Sequence, residues 1–283
     1  MLGRPTPGLR SSAIGGEEDF KAFEAEGWSA QADSYDRLMG RVTDRVAGAL
    51  LDAVSVGAGD RVLDVATGTG AVAAAAVARG AEVTGVDISE EMLEVARERV
   101  PSGHFMSADA EELELGEERF DAGVAGFLIN HLPDPERAVA AWTRALRPGG
   151  RLSLSVWNRP EENRFFGLIG DAMAETEADD TVPPGPDPYR FADPVEMTAL
   201  LDGAGLRESR TTRLDFEQRV EDVEHLWQGM LGGSVRSAAR VEAQPEADRR
   251  RVRRTLERLA EVHREGDHLA VPVSVRLGSA VRA

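Results

Sequence analysis

Short apolar runs and amphipathic stretches alternate through the middle of the chain. Residues 62–65, Val-Leu-Asp-Val, form an apolar run that ends in a glycine-rich turn, the pattern of a buried strand. Residues 71–79 are alanine-rich and close on Gly80, which predicts a helix with a glycine cap. Residues 82–86 repeat the strand signal. Residues 89–100 read as a helix, with Ser89 as its N-cap and Met92, Leu93 and Ala96 at helical spacing. Further strands are predicted at 104–106, 120–127 and 152–156, with a helix at 136–146 that Pro148-Gly149-Gly150 stops. Strands that alternate with helices predict a parallel sheet covered on both faces.

The second half is less regular. An apolar patch at Phe165, Phe166, Leu168 and Ile169 precedes a proline-rich stretch at 183–188. A helix is predicted at 194–201, strands at 206–216 and 271–281, and helices at 221–231 and 246–264. The stretch 221–266 is therefore a helical insertion between two late strands. No Gly/Ser linker divides the chain, so residues 17–283 read as one domain behind a loose tail at 1–16.

Composition narrows the function more than the fold. The 283 residues carry a formal charge of −17, which repels phosphate backbones and anionic membranes and argues against nucleic-acid or membrane partners. Cysteine is absent, which excludes disulfides, thiolate metal sites and a cysteine nucleophile. No apolar run approaches the ~20 residues that span a bilayer, and the first 16 residues lack the apolar core of a signal peptide, so a cytoplasmic protein is expected. Lys21 is the only lysine.

The most informative stretch is Val62 to Gly70, between the first strand and the first helix that follows it. Glycines there let the backbone turn sharply and approach a ligand. Asp87 closes the second strand, where a carboxylate can accept from ribose hydroxyls. Gly68-x-Gly70-x-x-Ala73 with Asp87 19 residues after Gly68 fits a dinucleotide fingerprint. It also fits S-adenosylmethionine: Asp64, just before the glycines, suits a cationic amino acid and would repel a pyrophosphate.

Over roughly residues 28–206 the chain resembles the Rossmann-like (class I) S-adenosylmethionine-dependent methyltransferases. Val62 to Gly70 is similar to the family's first motif, with Asp64 as its acidic residue and Ala66 where many members have glycine. Asp87 matches the ribose-binding acid, and Ile88 is placed to pack on adenine. Asp109-Ala110 resembles the adenine-binding segment. Phe120-Asp121 and the stretch 146–152 are similar to later motifs. The resemblance implies further cofactor contacts from Gly68, Thr69, Gly70 and Met92, and from Tyr35, whose Tyr35-Asp36 pair is similar to one in a segment that folds over the cofactor. It also implies a seven-stranded, mostly parallel α/β sheet with the last strand antiparallel. Cover segments 158–194 and 221–266 would then roof an acceptor pocket.

His131, in the loop after the fourth strand, is the candidate general base; lining the pocket without proton transfer is the alternative. Asn130 is a candidate to orient the acceptor, and Trp28, Trp157 and Trp227 to wall it, with core packing as the alternative for each tryptophan. The Asp/Asn-Pro-Pro-Tyr/Phe motif of nucleobase amino-methyltransferases is not present. His225, His263 and His268 show no metal-ligand spacing, so no metal is expected. The arginine run 249–254 reads as the solvent face of a helix whose apolar stripe is Val252, Leu256 and Leu259. The resemblance is nearest to bacterial tailoring enzymes of secondary metabolism, such as antibiotic pathways, and to quinone-type methyltransferases. The expected reaction is O-methylation, or next N-methylation, of a small molecule. Carbon methylation of a quinone or phenolic ring, a cyclase or binding protein of the same fold, and a homodimer all stay open.

Overall fold

The computed structural model describes residues 16–178 and 182–283. All of the tail read at 1–16 except Gly16 lies outside the described residues, as do 179–181 within the first cover segment. Two helices, α1 (Gly16–Tyr35) and α2 (Met39–Ala53), precede the sheet. Then β1 (Arg61–Val65), α3 (Ala71–Ala78), β2 (Glu82–Asp87), α4 (Glu90–Arg99), β3 (His104–Ser107) and β4 (Phe120–Gly126) alternate as the pattern predicts. They lead into α5 (Pro135–Ala145), β5 (Leu146–Trp157), α6 (Arg164–Glu175) and α7 (Pro194–Gly203). The chain ends with β6 (Leu206–Val220), α8 (Val223–Leu231), α9 (Val235–Glu242), α10 (Glu246–Ala260), β7 (Arg264–Glu265) and β8 (His268–Arg282).

The helix starts follow local chemistry. Ser89 Oγ accepts from Met92 N at 3.2 Å and caps α4, whose first turn carries Glu90 and Glu91 against the positive end of the helix. Asp134 and Asp193 cap α5 and α7, each followed by proline at the first helical position. The sheet order is β3-β2-β1-β4-β5-β8-β6, with the two-residue β7 paired to β8. Strands β1 to β5 pair in parallel, and β8 runs antiparallel to both β5 and β6. The expected seven strands with the last one reversed are therefore present, with β7 as an eighth.

Two apolar clusters lie on the two faces. One joins α2, α3 and α6 with the late helices; the other joins α5 and α7. The insertion between β6 and β8 holds three helices, one more than the sequence pattern predicts, because α9 is a single eight-residue element behind Gly232-Gly233. The carboxyl ends of β1, β2, β4 and β5 share one edge, where open α/β sheets bind ligands.

Candidate functional site

At that edge lies a cavity of about 240 Å³. One end is built by the loop after β1. Ala66, Gly68 and Gly70 have φ of +55°, +53° and +82°, so every second residue of the loop is left-handed. Gly70 needs glycine twice over: besides its φ, a Cβ there would lie 3.2 Å from Ala96 Cα. Gly68 has open space around it, so its backbone is bare towards the cavity. Ala66 takes the strained conformation with a side chain.

Asp87 pins this loop from β2. Its Oδ2 accepts from Gly68 N at 2.8 Å and its Oδ1 from Ser89 N at 3.0 Å. Burial pushes its carboxyl up, against the hydrogen bonds from Ser89, Gly68 and Ile88. Behind it, Asp64 is enclosed and accepts from Thr67 Oγ1 at 2.7 Å; burial raises it to about 7. Asp64, Thr69 and Gly70 do not line the cavity. Asp64 braces the loop from below, Thr69 Oγ1 donates to Asp36 at 2.8 Å, and Gly70 starts α3.

Ala66, Gly68, Asp87, Ile88, Met92, Asp109 and Ala110 do line it, as does Tyr35 from α1. Ile88 is 44% exposed, an apolar side chain open on a cavity wall. Burial pushes the Tyr35 hydroxyl up to about 12. Lys21 reaches down from α1 to Asp109 and Glu111, at 2.6 Å each. An apolar wall, a carboxylate fixed at a strand end and a bare glycine backbone fit a nucleoside. One buried acid behind the loop and a second on the cavity wall fit a cationic ligand and disfavour a pyrophosphate. The residues present therefore fit S-adenosylmethionine.

The other end is aromatic and contains the histidine. Phe127 and Trp157 stack at 3.9 Å and 19°, and Phe166 leans on Trp157 at 5.0 Å. Phe127 has φ +58°, a left-handed conformation that a bulky residue adopts only under constraint; its N–H donates to Ser155 O at 2.9 Å. His131 stands edge-on to Trp28 at 5.6 Å. Its Nδ1 lies 3.0 Å from Glu24 Oε2, which also accepts from Trp28 Nε1 at 3.0 Å. Glu24 Oε1 accepts from Arg236 Nε of α9 at 2.8 Å. Burial alone would raise the Glu24 carboxyl; His131 and then Arg236 outweigh it and hold it at about 2. Asn130 is buried on the same wall, and its side-chain oxygen has no partner among the described residues.

The structure thus brings Trp28, Asn130, His131 and Trp157 to one cavity end. Trp227 is elsewhere: it packs in the core beneath α8, where its bulk fills space between helices, and is no part of the cavity wall. Phe165 likewise is buried core, whereas its neighbour Phe166 faces the cavity. Glu24, Phe127, Tyr189 and Arg236 line the site without having been singled out. Glu24 and Trp28 are four apart on α1, a spacing that marks a shared helix face, but nothing local ties them to residues 131 and 236. Arginines of the 249–254 run pair outward, Arg250 with Glu246 and Arg253 with Glu224, over the buried Val252 and Leu256.

The sheet carries this cavity at the carboxyl edge of its parallel strands. Residues 63–154 match the methyltransferase domain family. Over that segment the chain is similar to the class I S-adenosylmethionine-dependent methyltransferases. It is 34% identical over 164 residues to a ubiquinone biosynthesis O-methyltransferase of Idiomarina loihiensis, covering 56% of this chain and 66% of that protein. It is 39% identical over 111 residues to a demethylmenaquinone methyltransferase of Clavibacter sepedonicus, covering 38% and 45%. The chain thus spans less than two thirds of these relatives' lengths. Among solved structures, the fold is similar to the YcgJ protein of Bacillus subtilis (TM-score 0.52, 16% identity, 84% of this chain and 98% of that one). It is also similar to phosphoethanolamine N-methyltransferase 2 of Haemonchus contortus in complex with S-adenosyl-L-methionine (TM-score 0.51, 19% identity, 84% and 52%). No described helix is long and apolar enough to cross a membrane.

Proposed function

We propose that this protein is an enzyme that transfers a methyl group from S-adenosylmethionine to an oxygen of a small, aromatic-faced acceptor. The observation that carries the reading is one continuous cavity, with a nucleoside-fitting end at Asp87 and an aromatic end at His131. The relatives named for quinone biosynthesis support a ring-shaped acceptor. A tailoring role in secondary metabolism is the alternative pathway context.

Bound S-adenosylmethionine supplies a methyl group already activated on a sulfonium. Asp87 would hold the ribose hydroxyls, Ile88 and Ala110 the base, and the bare backbone at Gly68 the amino-acid portion. Phe127, Trp157 and Phe166 exclude water and stack a flat acceptor. Asn130 offers its unpartnered side-chain oxygen to an acceptor N–H or O–H. His131 would accept the proton of the acceptor hydroxyl on Nε2.

Differential scanning fluorimetry with S-adenosylhomocysteine and with NADH tests the cofactor. A ligand at 100 times its Kd adds about 2.7 kcal/mol of stability, a shift of several degrees. A shift with S-adenosylhomocysteine alone is expected; a shift with NADH alone overturns the reading. Mass spectrometry of a quinol and phenol panel incubated with methyl-labelled S-adenosylmethionine then locates the acceptor. Retained turnover in His131→Ala across the pH range would turn the reading from oxygen towards a carbon acceptor.

A further inference from the structure

His131 ends the short turn Ile129–His131 after β4, and nothing in that turn fixes its ring. What fixes it comes from 107 residues upstream: Glu24 of α1 meets Nδ1 at 3.0 Å. We propose that Glu24 is a positioning residue that locks His131 in the Nδ1–H tautomer and leaves the Nε2 lone pair for the acceptor. The base is then complete only while α1 lies over the cavity. This inference rests on His131 being the base of the methyl transfer proposed above.

An ionised carboxylate only accepts, so the hydrogen between Oε2 and Nδ1 belongs to the ring nitrogen. Glu24 is 6% exposed and has donors on both oxygens: Trp28 Nε1 and His131 Nδ1 on one, Arg236 Nε on the other. Arg236 is itself anchored by the carbonyls of Pro186 at 3.1 Å and Asn130 at 3.3 Å. It therefore holds the carboxylate charged and in place. Lys21, one turn earlier on α1, points away to Asp109 and Glu111. Glu24 is the charged group in contact with the ring, and Arg236 lies behind it. A carboxylate on a ring nitrogen sets the tautomer and orientation of a catalytic imidazole without touching substrate.

Glu24→Gln separates this role from mere packing. The amide keeps the shape, and its oxygen faces the charged guanidinium of Arg236 at the cost of the bond from Trp28 Nε1. Its NH2 then faces Nδ1, which must become the acceptor, and the proton moves to Nε2. Long-range ¹H–¹⁵N NMR of protein labelled at its five histidines reads the tautomer, with His131→Gln assigning the resonance. The spectra are taken at a pH where the ring is neutral. The wild type should show Nδ1–H, and Glu24→Gln should lose that form to Nε2–H while S-adenosylhomocysteine affinity by calorimetry stays unchanged. A wild type with Nε2–H, or an unaltered pattern in Glu24→Gln, overturns the inference even where the variant is less stable. Failure of the wild type to bind S-adenosylhomocysteine would instead overturn the methyltransfer reading, and the positioning role with it.

Discussion

Replacing Asp64 by asparagine tests how the loop after β1 is braced. Asp64 is enclosed at the end of β1, bonded to Thr67 Oγ1 at 2.7 Å. Burial lifts its carboxyl from the ordinary 3.8 to about 7, and the charge of Asp87 adds to the lift against the opposing bonds of Thr67 and Ala73. An acid raised on folding keeps its proton in the folded chain where the unfolded chain has already released it. Stability is therefore lost as pH rises from about 4 to about 7, and the full penalty stands above that window. At 1.36 kcal/mol per tenfold, the lift amounts to about 4 kcal/mol at alkaline pH and to less than half of that at pH 5.

Asparagine keeps the size and still accepts from Thr67, but it carries no charge at any pH. Whatever fixed change Asp64→Asn brings, its stability relative to wild type should rise by roughly 3 kcal/mol between about pH 5 and about pH 9. For a chain of this size that is roughly 6 °C in Tm. Thermal denaturation of both ligand-free proteins across the pH range measures the difference. Asp87 is present in both, so its own titration largely cancels. A gap that stays constant from acid to alkaline pH would refute the reasoning, since it would mean that Asp64 is ionised without penalty.

Three other outcomes follow from the same loop. Ala66→Gly relieves a left-handed alanine at φ +55° and, after the added freedom of the unfolded chain, should stabilise by about 0.5 kcal/mol in urea unfolding. Gly70→Ala, with φ +82° and a Cβ 3.2 Å from Ala96 Cα, should destabilise by about 2–3 kcal/mol and weaken packing of α4 in the same assay. Asp87→Asn should lower S-adenosylhomocysteine affinity by about tenfold to a hundredfold in calorimetry, the worth of charge-assisted bonds to a ribose diol; unchanged affinity would remove Asp87 from the ribose site.

The parts that were legible in the sequence are those whose determinants are local. The β1 loop, Asp87 at the end of β2 and Ser89 capping α4 all lie within about one strand–helix unit, and their periodicity and capping residues show directly. The mostly parallel sheet with its last strand reversed followed from strand–helix alternation together with the motif resemblance. The acceptor end was legible only in pieces. His131 and Trp157 stood out by position after strands, but Glu24 meets His131 across 107 residues and Arg236 across 212, distances over which no pattern operates. Phe127 at φ +58° runs against what its bulk predicts, so only the backbone reveals it. Trp227 shows the reverse: a large aromatic in a predicted cover helix is an equally good core residue, and here the core holds it.

This division has a physical consequence for how the two ends can vary. The end proposed for the nucleoside is built mainly by residues 64–92, where a left-handed loop, a buried acid pair and a helix cap constrain one another. A change there disturbs backbone geometry before it alters a ligand. The acceptor end is put together by side chains from α1, the turn after β4 and α9, joined chiefly through Glu24. Its walls can be exchanged one side chain at a time without moving a strand, but Glu24 cannot, because it is the shared partner of three donors. Lys21 and Ser29 tie the same helix to Asp109, Glu111 and Ser89 over the nucleoside end. The α1 helix is therefore in contact with both ends of the cavity, and the carboxylate that faces His131 is carried by the same element that sets Lys21 on Asp109 and Glu111.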